Sequence, residues 1–248
     1  MDRIERSKQK YAELFGNGQP STFAADPDFQ DILSRFVFGE VFFQGSLTDQ
    51  QRELITLVVL TTNQTLPQLR AHVEAGLKVG LTPVEIKEAI YQCAPYIGFP
   101  KVLNALVQAN EVFVERNIAL PLESQTQVNE DNRHEKGLEL RVAIFGDQTY
   151  ARIQNTPENQ KHIQDYLSGF CFGEIYSRGG LDIKTRELLT LCILCALGGC
   201  ENQLKSHIQG NLNVGNDKDL LIEAITQCLP YMGFPRTLNA LNCVNDVG

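Results

Sequence analysis

Residues 181–207 read LDIKTRELLTLCILCALGGCENQLKSH, and an older copy at 47–72 reads LTDQQRELITLVVLTTNQTLPQLRAH. Each begins with a helix that is apolar on nearly all sides, which predicts a central, buried element. Arg186 and Glu187 stand in the first turn of one such helix, Arg52 and Glu53 in the first turn of the other. A break follows, then a second helix that carries His207 or His72.

The duplication extends outward from these stretches. FVFGEVFFQGSLTDQQRELITLVVL (36–60) aligns without gaps on FCFGEIYSRGGLDIKTRELLTLCIL (170–194), 134 positions on. YQCAPYIGFPKVLNAL (91–106) aligns on TQCLPYMGFPRTLNAL (226–241), 135 positions on. The chain is therefore two versions of one unit. The first is expected over 1–119 and the second over 134–248. The polar run LPLESQTQVNEDNR (120–133) is expected to link them.

Local signals predict helices throughout. A short polar helix and a turn are expected over Met1–Gly18. Asp26-Pro27 reads as a cap with Pro at the first helical position, opening a helix to about Phe43. Thr48 with Gln51, and Thr82 with Glu85, have capping-box spacing. Pro67 opens the helix of His72, and a helix beginning near Cys200 carries His207. Thr156-Pro157 reads as a further cap and first turn. No stretch alternates with period two for long enough to form a convincing strand. The fold class is all-α, two tandem units of roughly six helices each.

The totals narrow the function. Of 248 residues 43% are hydrophobic, enough for a substantial core, and the net charge is -8. Without a Lys/Arg cluster, nucleic acid and anionic membranes are disfavoured partners. The opening MDRIERSKQKYAELFG is charged and amphipathic, unlike a signal peptide. Seven cysteines, five of them in apolar helical runs, then read as reduced thiols of a cytoplasmic protein. The histidines are too dispersed for a local metal motif, and Gly198-Gly199 lacks the Lys and Ser/Thr of a phosphate loop.

RELITLVVL with QLRAH, and RELLTLCIL with QLKSH, each followed by Gly-Phe-Pro and Asn-Ala-Leu, resemble the carboxymuconolactone decarboxylase family. Gly39-Glu40, Gly173-Glu174 and the GLELRVAIFGD segment (137–147) add to the likeness. The resemblance implies an alkylhydroperoxidase D-like helical unit and a homo-oligomer, with trimers of two-unit chains where one-unit relatives form hexamers. It also implies decarboxylation of a small unsaturated lactone or related organic acid. Such a substrate carries its own electron sink, so no cofactor is expected. His207 would transfer protons and Glu187 would orient it, with His72 and Glu53 as their counterparts. Arg186, Lys205, Arg52 and Arg70 are the candidate anchors for substrate carboxylates. The second unit is expected to be catalytic and the first partly or wholly structural.

Two other readings stay open. The peroxidase branch of this fold has cysteines seven and four residues before the His; here Cys200 fills the first place, but Gln203 stands at the second. A thiol-dependent peroxidase or disulfide reductant would therefore rest on Cys200 alone. Cys192 and Cys195 have CxxC spacing but lie mid-helix, where packing explains them. The third reading is a non-catalytic oligomeric binding protein. Gly98-Phe99-Pro100 and Gly233-Phe234-Pro235 read as turn and helix-start chemistry. His134 and His162 read as solvent-facing.

Overall fold

The computed structural model describes residues 1–16 and 25–247, and the described residues contain helices and no strand. The expected turn at Asn17-Gly18 lies outside them. In the first unit α1 (Arg3–Phe15), α2 (Pro27–Val37), α3 (Asp49–Asn63), α4 (Leu66–Lys78), α5 (Pro83–Gln92), α6 (Ala94–Ile97) and α7 (Phe99–Glu115) follow in order. The second unit contains α8 (Arg133–Phe145), α9 (Gln148–Gln154), α10 (Lys161–Tyr166), α11 (Ile183–Leu197), α12 (Glu201–Asn213), α13 (Lys218–Met232) and α14 (Phe234–Asp246).

Helix boundaries follow the capping chemistry. Thr48 and Thr82 each accept from the third helical residue, while Gln51 and Glu85 reach back to the cap, so both boxes close. Asp182 starts α11 by accepting from the Thr185 amide at 2.8 Å. Gln64 ends α3 in the left-handed region, φ 58°.

The expected helix from Pro27 to Phe43 is shorter: α2 stops at Val37, and a separate 3-10 turn covers Val41–Phe43. Its counterpart in the second unit stays continuous, because α10 runs on into a π-helical segment, Leu167–Tyr176. At this place each unit crosses its first helix. A Cβ on Gly39 would lie 2.3 Å from the Arg3 carbonyl oxygen, and one on Gly173 would lie 2.2 Å from that of Arg133. Only glycine permits so close an approach. That crossing accounts for the repeated Gly-Glu pair, whose glutamates meet Arg3 and Arg133 at 2.5 and 3.8 Å. Thr156-Pro157 leads into a 3-10 turn, Glu158–Gln160, before α10 begins.

The two units share one core. α3 and α11 pack against each other, each buried along most of its length, and α5 and α13 flank them. Ile55, Leu57, Leu189, Leu191 and Ile193 are essentially inaccessible. Each such side chain contributes about 1.5–3 kcal/mol of burial free energy. The intervening 120–133 segment is not free of the body: Gln125 accepts from the Gly179 amide at 2.9 Å, and Arg178 donates to Thr126 at 3.3 Å. Among the described residues no helix is long and apolar enough to cross a membrane.

Candidate active site

Arg186 and Glu187 are neighbours in α11, so a helical step points them about 100° apart. Glu187 turns toward α12, where its Oε2 accepts from His207 Nδ1 at 2.9 Å. The carboxylate is fully buried and the His207 side chain is 10% exposed. Tyr176 donates to Glu187 Oε1 at 2.7 Å, and Asn211 donates to the Glu187 backbone carbonyl at 3.0 Å. Gly210 makes room for the carboxylate: a Cβ there would lie 2.7 Å from Glu187 Oε2.

The first unit repeats the arrangement. Glu53 Oε2 accepts from His72 Nδ1 at 2.8 Å, again with the carboxylate fully buried and the ring nearly so. In both pairs the carboxylate takes Nδ1, which leaves Nε2 as the nitrogen available to a ligand.

Each site is completed by the other unit. Tyr96, from the first unit, stands edge-on to the His207 ring with centroids 5.9 Å apart. Tyr231, from the second unit, stands edge-on to His72 at 5.6 Å. The opposite wall is Phe145 for His207 and Phe15 for His72, both at 5.3 Å. Gln92 and Gln227 likewise cross over, donating to Thr190 and Thr56 at 3.1 and 3.2 Å. These residues were missed in the sequence, although the repeated Gln-Cys-x-Pro-Tyr block (92–96 and 227–231) carried the signal.

The sites differ at one aromatic position. Tyr176 bridges Glu187, Thr190 (2.6 Å) and Tyr96 (3.0 Å) in the second. Phe42 occupies the equivalent place in the first, and there Glu53 Oε1 and the Tyr231 hydroxyl are buried without hydrogen-bond partners. Burial pushes the Tyr96, Tyr176 and Tyr231 phenols above their ordinary range, with a neighbouring glutamate adding to the rise, so all three stay protonated.

The two rings are similarly buried, the His72 side chain 7% and the His207 side chain 10% exposed. A cavity of 750 Å³ opens on His72. Phe15, Leu33, Phe36, Val37, Leu60 and Phe234 form much of its wall. Its polar groups are Tyr11, Gln30, Thr65, Gln68, His72 and Tyr231. The sequence favoured the second unit, whereas this cavity lies against the histidine of the first.

The expected carboxylate anchors are elsewhere. Arg186 is completely buried and donates to Glu88 (3.0 Å), Gln92 (3.0 Å) and the carbonyls of Arg178 and Gly179 (both 2.9 Å). Arg52 donates to the Leu47, Val41 and Gln44 carbonyls and to Gln227. Both arginines tie the units together by donating across the seam, with Arg186 Nε alone left without a partner. Lys205 pairs with Asp246 at 2.7 Å, and Arg70 pairs with Glu111 and Glu115 on the outer surface.

Cys200 stands apart from the histidine pair. It lines a hollow of 20 Å³ with Leu194, Gly198 and Arg236, and its thiol donates to the Leu194 carbonyl at 3.4 Å. Burial raises its pKa, and Glu201 raises it further, so the thiol is favoured over the thiolate. The other six cysteines are buried and free, Cys192 and Cys195 among them. His134 is exposed and faces Asp165 at 3.5 Å; His162 is also exposed. Among the described residues no three His, Cys, Asp or Glu side chains group as metal ligands.

Two helical units, each burying a glutamate against a histidine and each finished by the other's tyrosine, define a tandem all-α protein. The chain belongs to the carboxymuconolactone decarboxylase family, whose model matches residues 27–111 and again 161–246. The 4-carboxymuconolactone decarboxylase of Acinetobacter baylyi is 35% identical over 121 residues, covering 48% of this chain and 90% of that enzyme. The nitrosuccinic acid decarboxylase of Metarhizium robertsii is 28% identical over 78 residues, 32% of this chain and 54% of that enzyme. A crystallised Burkholderia xenovorans protein, a candidate gamma-carboxymuconolactone decarboxylase subunit, shares the fold. Its TM-score is 0.55 at 20% identity, over 98% of this chain and 96% of that one.

Proposed function

We propose that this chain is a cofactor-independent decarboxylase in which His72, oriented by Glu53, returns a proton to the carbon that loses carbon dioxide. The observation that carries this reading is a buried His–carboxylate pair whose histidine lines a 750 Å³ cavity. The decarboxylases among the relatives support the reaction class.

The chemistry follows from the groups present. The bond between the carboxylate and its carbon breaks, and its electron pair passes into a conjugated carbonyl of the substrate as an enolate. The substrate is its own electron sink. An imidazolium at His72 then gives its Nε2 proton to that carbon, and solvent restores it. Glu53, accepting from Nδ1–H, fixes the ring and stabilises the imidazolium. The apolar wall assists the first step. It destabilises a localised carboxylate more than the delocalised enolate that replaces it.

The thiol-peroxidase alternative has weaker support, since Cys200 is a hydrogen-bond donor in a hollow separate from the pair. Assembly with further copies is consistent with an exposed apolar stripe on α7, formed by Phe99, Leu103, Val107 and Val114.

The test is turnover in heavy water of a panel of β-oxo and vinylogous β-oxo acids. The expected result is release of carbon dioxide with one deuterium placed on the carbon that lost it, and its loss in Glu53→Gln. Product without that deuterium, or full activity in Glu53→Gln, would overturn the proposal.

A further inference from the structure

We infer that the first-unit cavity selects a carbon-rich ligand with one carbonyl and at most one negative charge, and that it rejects dicarboxylates. This inference rests on the proposed function and adds its substrate class. Among the described residues no Lys, Arg, Asp or Glu lines the cavity.

Cations near that wall in sequence are engaged elsewhere: Lys10, next to Tyr11, pairs with Glu13 and Asp49 at 2.9 and 2.8 Å, and Arg236, two residues past Phe234, donates to Asn63 at 3.2 Å. Arg35 pairs with Asp31 at 2.5 Å, and Lys78 donates to the Ala12 carbonyl at 3.0 Å. Arg52 is buried among backbone carbonyls and Gln227, and Arg70 faces Glu111 and Glu115. A dianion would thus meet one cationic group at most, a protonated His72. Its second carboxylate would lose water against Leu33, Phe36 and Phe234 without a partner, which is strongly unfavourable.

The cavity does offer a neutral donor. Tyr231 lines it, and the Tyr231 hydroxyl is buried beside Thr56 without a hydrogen bond of full geometry. Neighbouring Thr56 is engaged, donating to the Arg52 carbonyl at 2.8 Å and accepting from Gln227 at 3.2 Å. In the second unit the matching tyrosine, Tyr96, meets the Tyr176 hydroxyl at 3.0 Å; Phe42 brings no such hydroxyl to the first. An O–H so placed and held protonated by burial suits a carbonyl oxygen, and suits it better as that oxygen becomes an enolate. Gln30, on the same wall, likewise has a buried Oε1 without a partner.

The test is calorimetric titration of the full chain with three unreactive probes of similar bulk: 4-phenyl-2-butanone, 4-phenylbutanoate and phenylsuccinate. The ketone and the monoacid are expected to bind one per chain, with phenylsuccinate at least about tenfold weaker, a difference of roughly 1.4 kcal/mol. Tyr231→Phe should weaken the ketone by about three- to tenfold, the effect of one hydrogen bond, with no loss of folding on thermal melting. Ile32→Lys places a cation at an exposed position of the wall and should narrow or reverse the preference against phenylsuccinate. Phenylsuccinate binding as tightly as the monoacid to the unmodified chain, or no probe binding, would overturn the inference. So would ketone binding indifferent to Tyr231→Phe. The selectivity without decarboxylation of any acid would remove the proposed reaction and leave the ligand class standing. Decarboxylation of a dicarboxylate, abolished by His72→Gln, would do the reverse.

Discussion

Replacing Arg186 by methionine separates a structural arginine from a substrate anchor. The guanidinium lies wholly inside the protein and bridges the units through Glu88, Gln92 and two backbone carbonyls, all at 2.9–3.0 Å. Burial pushes it below its ordinary pKa, and Glu88 acts against that shift. Breaking a buried pair of this kind typically costs about 3–5 kcal/mol. The lower end is expected, because Glu88 keeps Arg178 at 2.9 and 3.0 Å when Arg186 is gone. For a chain of this size each kcal/mol moves Tm by about 2–4 °C, so a fall of roughly 6–12 °C is expected at that end. Thermal unfolding followed by far-ultraviolet circular dichroism measures it. Arg52→Met strands carbonyls and Gln227 but no carboxylate, and should fall less. An unchanged Tm in Arg186→Met, with substrate affinity lost, would refute this reasoning and return Arg186 to the substrate.

Three further outcomes follow from particular contacts. Cys200, with its pKa raised by burial, should alkylate with iodoacetamide more slowly than a free thiol at neutral pH, and should accelerate only above the ordinary thiol range. Gly210→Ala puts a Cβ 2.7 Å from Glu187 Oε2 and 2.8 Å from Ile144, so thermal melting should show an overpacking loss of about 1–3 kcal/mol. Burial pushes the Cys171 thiol up to about 12, with Glu187 adding to the rise. Its folded pKa then exceeds the unfolded one, so the stability it contributes is present below the ordinary thiol value and is lost as pH rises toward 12. Denaturant titrations at stepped alkaline pH should show that decline, shallower in Cys171→Ala.

Helix content was legible in the sequence because apolar periodicity and capping residues act locally: Thr48 with Gln51 and Thr82 with Glu85 close as their spacing requires. The repeat was equally legible, and it singled out Glu53 and His72 as counterparts of Glu187 and His207; that each glutamate reaches its histidine came only from the packed helices. What lay beyond reach was the exchange between units. Tyr96 and Tyr231 are far in sequence from the histidines they flank, and only the packing of α3 against α11 brings them there. The arginines misled for a related reason. An Arg in the first turn of a helix looks available to an anion, yet the other unit covers that turn and supplies Glu88 or Gln227. Nor could composition reveal the cavity before His72, since that depends on where Phe36, Leu60 and Phe234 converge.

Turnover of one decarboxylated acid by His72→Gln and by His207→Gln, measured side by side with the parent chain, weighs the two histidines directly. A loss of about a hundredfold or more is expected in His72→Gln, the usual scale for removing a general acid, with His207→Gln within a few-fold of the parent. The opposite ranking, with activity lost at His207 and kept at His72, would contradict the assignment of catalysis to the first-unit cavity.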